Sequence, residues 1–124
     1  MLRLCEVNDG AYVNLDHCVW ARIELRAPQD PDLLILGLQN NSLIETSLPG
    51  TVQSILSDPV ETWTEIELGE QRQRFWINTT VLESLWFGSD EHGAYLKLRF
   101  ARGQESQLDE EHFPVEAIRN TLVP

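Results

Sequence analysis

The residues best equipped for chemistry are few and far apart. The three histidines are His17, His92 and His112, and the two cysteines are Cys5 and Cys18. No pair of them has the i, i+4 or Cys-x-x-Cys spacing of a zinc site. A site joining Cys5, His17 and Cys18 would need the first strands to pair, and the spacing by itself does not point there. No nucleophile elbow, phosphate-binding loop or dinucleotide fingerprint occurs. Glu65 and Glu67 fall on one face of a strand, as acid–base pairs do, but 20 acidic residues make such pairs commonplace. Asp109, Glu110, Glu111 and His112 could offer oxygens to a divalent cation, and they equally suit a solvated run before a helix N-terminus, where acids are favoured. The expectation is a protein without catalytic residues, cofactor or metal.

The remaining chemistry is recognition. If Phe75 and Ile77 point into a core, Arg72, Arg74 and Trp76 point out, and Tyr95, Lys97 and Arg99 form a similar outward set. On one sheet these six would make a basic-aromatic patch, the composition of a protein-binding hot spot and of a single-stranded nucleic-acid platform. Five of the nine basic residues (Arg72, Arg74, Lys97, Arg99 and Arg102) lie in this part of the chain. The alternative is a solvated face whose arginines pair with Glu65, Glu67 and Glu70.

The chain's overall charge limits the partners. Nine basic residues against 20 acidic ones give a formal charge of -11 over 124 residues. Nucleic-acid backbones and anionic membranes are disfavoured, whereas a basic protein surface would be steered inward. Leu, Ile, Val and Phe supply 37 residues, too many for a disordered acidic chain. No apolar run approaches the roughly 20 residues of a membrane span, and residues 1–6 lack the apolar core of a signal peptide. With two cysteines and no disulfide framework, the expected location is a reducing cytoplasm.

The elements that must position these residues read mostly as strands. Residues 2–7 and 11–14 alternate around an Asn8-Asp9-Gly10 turn. A bend at 15–18 leads to strands at 19–27, 33–38 and 43–48, and residues 51–56 suit a short helix. The second half repeats this order, with strands at 64–68 and 72–78, a bend at 79–80 and apolar residues at 81–87. A hairpin loop at 88–93, strands at 94–100 and 104–108 and a helix at 114–122 complete it. Tyr12-Val13-Asn14 and Trp76-Ile77-Asn78 correspond at an offset of 64 residues, and both asparagines suit capping of the bends.

The predicted fold is therefore mainly β, of α+β type. It has two similar antiparallel β-meander units, residues 1–60 and 61–124, each closed by a short helix and packed as one compact pseudo-symmetric domain. In the strand at 33–38, Leu34, Leu36 and Leu38 face the unit's own core. Leu33 and Ile35 point outward and need cover, from the other unit or from a second chain.

The first unit resembles the small bacterial FlbD-like family known from flagellar and swarming-motility loci. The matching residues are Asn8-Asp9-Gly10, Tyr12 to His17, Ile23-Glu24, Asp32 to Ile35, Asn40 to Glu45 and Val52 to Leu56. That family is normally a single unit, so a tandem copy departs from it. The resemblance implies a small non-enzymatic accessory protein with no catalytic residues to transfer. The functional expectation is an adaptor that contacts another protein through an outer sheet face, with a homodimer possible. The alternatives are a regulator touching nucleic acid through the basic-aromatic patch, and a small enzyme or ligand-binding protein with a site between the units.

Overall fold

The structure, a computed structural model, describes residues 4–8, 10–24, 32–47, 63–68, 73–100 and 103–123. The expected helix at 51–56 and the candidate Arg72 lie outside the described residues. The elements are β1 (Leu4–Asn8), β2 (Ala11–Asn14), a 3-10 turn (Leu15–His17), β3 (Cys18–Glu24), β4 (Leu33–Leu38) and β5 (Leu43–Thr46). There follow β6 (Trp63–Ile66), β7 (Gln73–Asn78), a second 3-10 turn (Thr79–Val81), β8 (Leu82–Asp90), β9 (Gly93–Phe100), β10 (Glu105–Asp109) and helix α1 (Val115–Leu122). The protein is mainly β, with three sheets and one α-helix among the described residues. No helix among them is long and apolar enough to cross a membrane.

A five-stranded antiparallel sheet in the order β5-β4-β3-β7-β6 is central. It draws strands from both halves of the chain through the β3–β7 ladder, where Trp20 opposes Ile77 and Ala21 opposes Trp76. Both of its faces are covered. On one face Ala21, Ile23, Leu34, Leu36 and Trp76 pack with Val7 of β1 and Val13 of β2. On the other, Ile35, Phe75 and Ile77 pack with Leu96, Leu98 and Phe100 of β9 and with Val115 and Ile118 of α1. The hairpin β1–β2 and the three-stranded sheet β10-β9-β8 thus sit on opposite sides of the central sheet. Strands buried on both faces carry apolar residues at successive positions instead of alternating, which is the pattern of Leu33 to Leu38 and of Phe75-Trp76-Ile77.

Glycine lets aromatic rings lie across two of the ladders. Trp20 opposes Gly37, and its indole occupies the space a Cβ would need there. That ring stacks on Phe75 at 5.7 Å and meets Phe113 edge-on at 5.1 Å, tying β3 to the turn before α1. Arg22 makes the same connection: its Nη1 donates to the His112 carbonyl at 3.1 Å. On the outer sheet Gly88 opposes Tyr95, and a Cβ at Gly88 would stand 2.5 Å from the tyrosine hydroxyl.

The two bends are 3-10 turns with the same cap. Asn14 Oδ1 accepts from the Asp16 amide at 3.0 Å, and Asn78 Oδ1 accepts from the Thr80 amide at 3.2 Å. Their surroundings differ. Asn78 is fully buried and its Nδ2 also donates to the Cys18 carbonyl at 3.0 Å, which anchors the second 3-10 turn to the start of β3.

The hairpin between β8 and β9 is tighter than its glycines suggest. Pairing continues to Asp90 opposite Gly93, so only Glu91 and His92 form the turn instead of residues 88–93. Asp90 Oδ1 accepts from the His92 amide at 2.8 Å, and Gly93 takes φ +112°, which side chains rarely adopt. β8 becomes a continuous nine-residue strand.

Candidate interaction face

The six residues expected on one sheet face are divided between two. Arg74 and Trp76 lie on β7 in the central sheet, and Tyr95, Lys97 and Arg99 lie on β9 in the outer sheet. Phe75 and Ile77 point toward Leu96 and Leu98, so the two sets face opposite ways across that shared core. Trp76 is a correction to the expected outward residue: it is 1% exposed and packs under β2. The reason is that β7 is an interior strand, covered on the side where the alternation alone predicts solvent. Arg74 emerges at the strand end, where its guanidinium lies 4.9 Å over the Trp76 ring and hydrogen-bonds and ion-pairs with Glu65 across the β6–β7 ladder. Ile35 is likewise 5% exposed and covered by the chain's own second half, with Leu33 half-buried beside it.

The face that remains open is the outer side of β8, β9 and β10. Ladder register sets it out in three rows: Ser84, Arg99 and Glu105; then Trp86, Lys97 and Gln107; then Gly88, Tyr95 and Asp109. The opposite side of the same sheet carries Leu85, Phe87, Leu96, Leu98 and Leu108, which turn to the core. Lys97 Nζ sits 5.7 Å from the Trp86 ring and 5.8 Å from the Tyr95 ring, within the range of a cation–π contact to each. Trp86 is 38% exposed. Among the described residues Lys97, Arg99 and Arg119 have no carboxylate within 4.0 Å, whereas Arg22 and Arg74 each pair with a glutamate. A lysine without a carboxylate partner, held against the exposed Trp86, stands out on a chain of charge -11.

Trp86 was absent from the residues picked out by sequence, because its side follows only from the hairpin register. A two-residue turn at Glu91–His92 sets Trp86 opposite Lys97. A longer loop over 88–93 leaves that pairing undefined.

The three histidines stay apart. His17, His92 and His112 are exposed in three separate turns. His112 Nδ1 meets Asp109 Oδ1 at 2.9 Å, and this hydrogen bond holds the Asp109 carboxyl below its ordinary pKa. Asp109, Glu111 and His112 bring one ligand atom each within 4.8 Å of one another, with Asp109 half-buried and the other two exposed, and the His112–Asp109 bond joins two of the three. On the first hairpin, a hydrogen bond from Tyr12 to Glu6 and the charge of that glutamate raise the Tyr12 pKa. A crevice of about 410 Å³ between the β4–β5 turn and β10 has Trp20 and Phe113 among its walls, and Glu105 is its one ionisable lining residue.

Comparison of the chain with protein-family models, with curated proteins and with solved structures returned no match.

Proposed function

We propose that this is a non-enzymatic interaction protein that engages another protein through the outer face of β8 and β9, with Trp86, Tyr95, Lys97 and Arg99 as the contact residues. One observation carries the reading: Lys97 forms no ion pair with a carboxylate among the described residues and sits against the exposed Trp86 and the half-buried Tyr95, with the exposed Arg99 two residues along the same strand. A large aromatic with a lysine packed on it loses little side-chain entropy on binding, and aromatic and arginine residues dominate the energetics of protein interfaces. The complementary partner segment carries carboxylates that the two cations meet and an apolar group that covers Trp86. The separation of the three histidines, exposed in different turns, supports a binding role over a catalytic one.

The two-unit organisation, residues 1–60 and 61–124, belongs to the same proposal. Both halves contain two strands, an Asn-capped 3-10 turn and three more strands, in that order. Replacing each strand in the order β5-β4-β3-β7-β6 by its counterpart gives β10-β9-β8-β2-β1. That sequence consists of the two smaller sheets, β10-β9-β8 and β2-β1, laid end to end. An accessory protein made of two such units accords with the FlbD-like resemblance of the first one.

The test is affinity capture from the native host with the wild-type chain and with the Trp86→Ala/Arg99→Ala variant, both checked for folding by circular dichroism. A partner held by the wild type and lost by the folded variant supports the reading. An unchanged set of captured proteins overturns it.

A further inference from the structure

We infer that two copies of this chain associate by strand pairing, the free edge of β2 in one copy adding to the free edge of β8 in the other. The inference rests on the two-unit reading and extends it to the one junction that a single chain leaves unmade. β3 and β7 join the halves edge to edge. Their counterparts at the 64-residue offset are β8 and β2, and these two strands each have a single ladder partner among the described residues, β9 and β1 respectively. Among the described residues both edges therefore carry backbone groups outside any ladder, and such edges readily template a further strand. β8 is also the longest strand described.

Within one chain the junction is barred. Val7 and Val13 hold β1 and β2 against the Trp76 side of the central sheet, while Leu85 and Phe87 of β8 pack on the Phe75 and Ile77 side. The central sheet stands between them. A second copy supplies the missing strand without disturbing either packing, and the exchange is reciprocal, which gives a closed two-fold dimer with two new ladders.

The side chains at the two edges fit this arrangement. Trp76 fills the first core beside Ala21, its cross-strand partner, at 1% exposure. Its counterpart Tyr12 is 61% exposed. The counterpart of Ala21 is Leu85, half-buried at the margin of the second core. Carrying the β3–β7 register across by 64 residues sets Tyr12 of one copy opposite Leu85 of the other, with Val13 opposite Ser84 and Ala11 opposite Trp86. No like charges oppose each other in this register. Tyr12 would then do for the second core what Trp76 does for the first.

The experiment is sedimentation equilibrium on the full chain in moderate salt, where repulsion between two chains of charge -11 is screened. It is paired with oxidative cross-linking of a Tyr12→Cys/Leu85→Cys variant against the Leu43→Cys variant as control. The expected results are twice the chain mass, a covalent dimer from the Tyr12/Leu85 pair only, and dissociation at least about tenfold weaker-binding for Tyr12→Lys, whose exposed site leaves the monomer folded. A monomer mass at all concentrations overturns the edge pairing while leaving the two-unit reading intact. A dimer without the Tyr12–Leu85 cross-link overturns both the register and the equivalence of the halves from which it comes.

Discussion

Asn78 and Asn14 occupy equivalent positions, yet their replacement by alanine has unequal consequences. Asn14 is partly exposed, and its side chain makes one capping bond, to the Asp16 amide. Losing such a cap costs about 0.5–1 kcal/mol, since water reaches the freed amide. Asn78 is 0% exposed and accepts from the Thr80 amide while donating to the buried Cys18 carbonyl. Its Oδ1 also accepts from the Thr80 hydroxyl at 2.6 Å, but Thr80 is exposed and can turn to water. Two bonds of about 1 kcal/mol each, lost in a site that water does not reach, put Asn78→Ala at roughly 2–3 kcal/mol. For a chain of this size the unfolding entropy makes that a fall in Tm of about 8–12 °C. The assay is urea unfolding followed by tryptophan fluorescence, with the same m-value required for both variants. Equal losses for Asn14→Ala and Asn78→Ala, or a loss under about 1 kcal/mol for Asn78→Ala, would refute the claim that burial of the second cap sets its weight.

Three further outcomes follow from the same contacts. Gly37→Ala forces its methyl into the Trp20 indole, which Phe75 and Phe113 hold in place, and should cost about 2–3 kcal/mol by urea unfolding; Gly88→Ala meets only the movable end of Tyr95 and should cost less than about 1 kcal/mol. The Asp109 carboxyl, held low by its hydrogen bond to His112, should titrate below ordinary aspartate in carboxylate-detected NMR and return toward the usual value in His112→Ala. Because the folded pKa is the lower one, this contact stabilises the fold above the ordinary aspartate pKa and is lost as pH falls through the depressed value, so the variant and the wild type should converge in stability in strong acid. A fluorescently labelled single-stranded oligonucleotide should show no anisotropy change at low salt, because nine basic residues are too few to offset 20 acidic ones; binding with a steep salt dependence would make the outer face a nucleic-acid platform instead.

Much of the local structure was legible in the residues. The strand at 33–38 matches β4 end to end, because six consecutive strand-forming or apolar residues are bounded by turn formers. The two bends and their asparagine caps follow from Tyr12-Val13-Asn14 and Trp76-Ile77-Asn78. The candidate site was half legible. Tyr95, Lys97 and Arg99 lie on an open face because β9 alternates cleanly around Leu96, Leu98 and Phe100. Trp76 was misplaced because alternation within a strand says which residues share a side and not whether that side is wet, whereas Ile35 takes the cover from the second half that its apolar neighbours called for. Trp86 was missed because its neighbour Lys97 is chosen by a turn two residues long, and Gly88 and Gly93 frame a longer loop equally well in sequence.

The sequence by itself determined the position of most strands to within a few residues, which residues alternate along each one, the two capped bends and the acidity of the whole. Those properties depend on backbone preferences and side-chain periods that act over a few residues. The tertiary structure decided that β3 and β7 are interior strands, that the second half covers Ile35, and that one outer face sets Lys97 against the exposed Trp86. Those outcomes depend on which strand edges meet across some 50 residues of chain. Burial of a face is a property of what packs on it, and no residue carries that information alone.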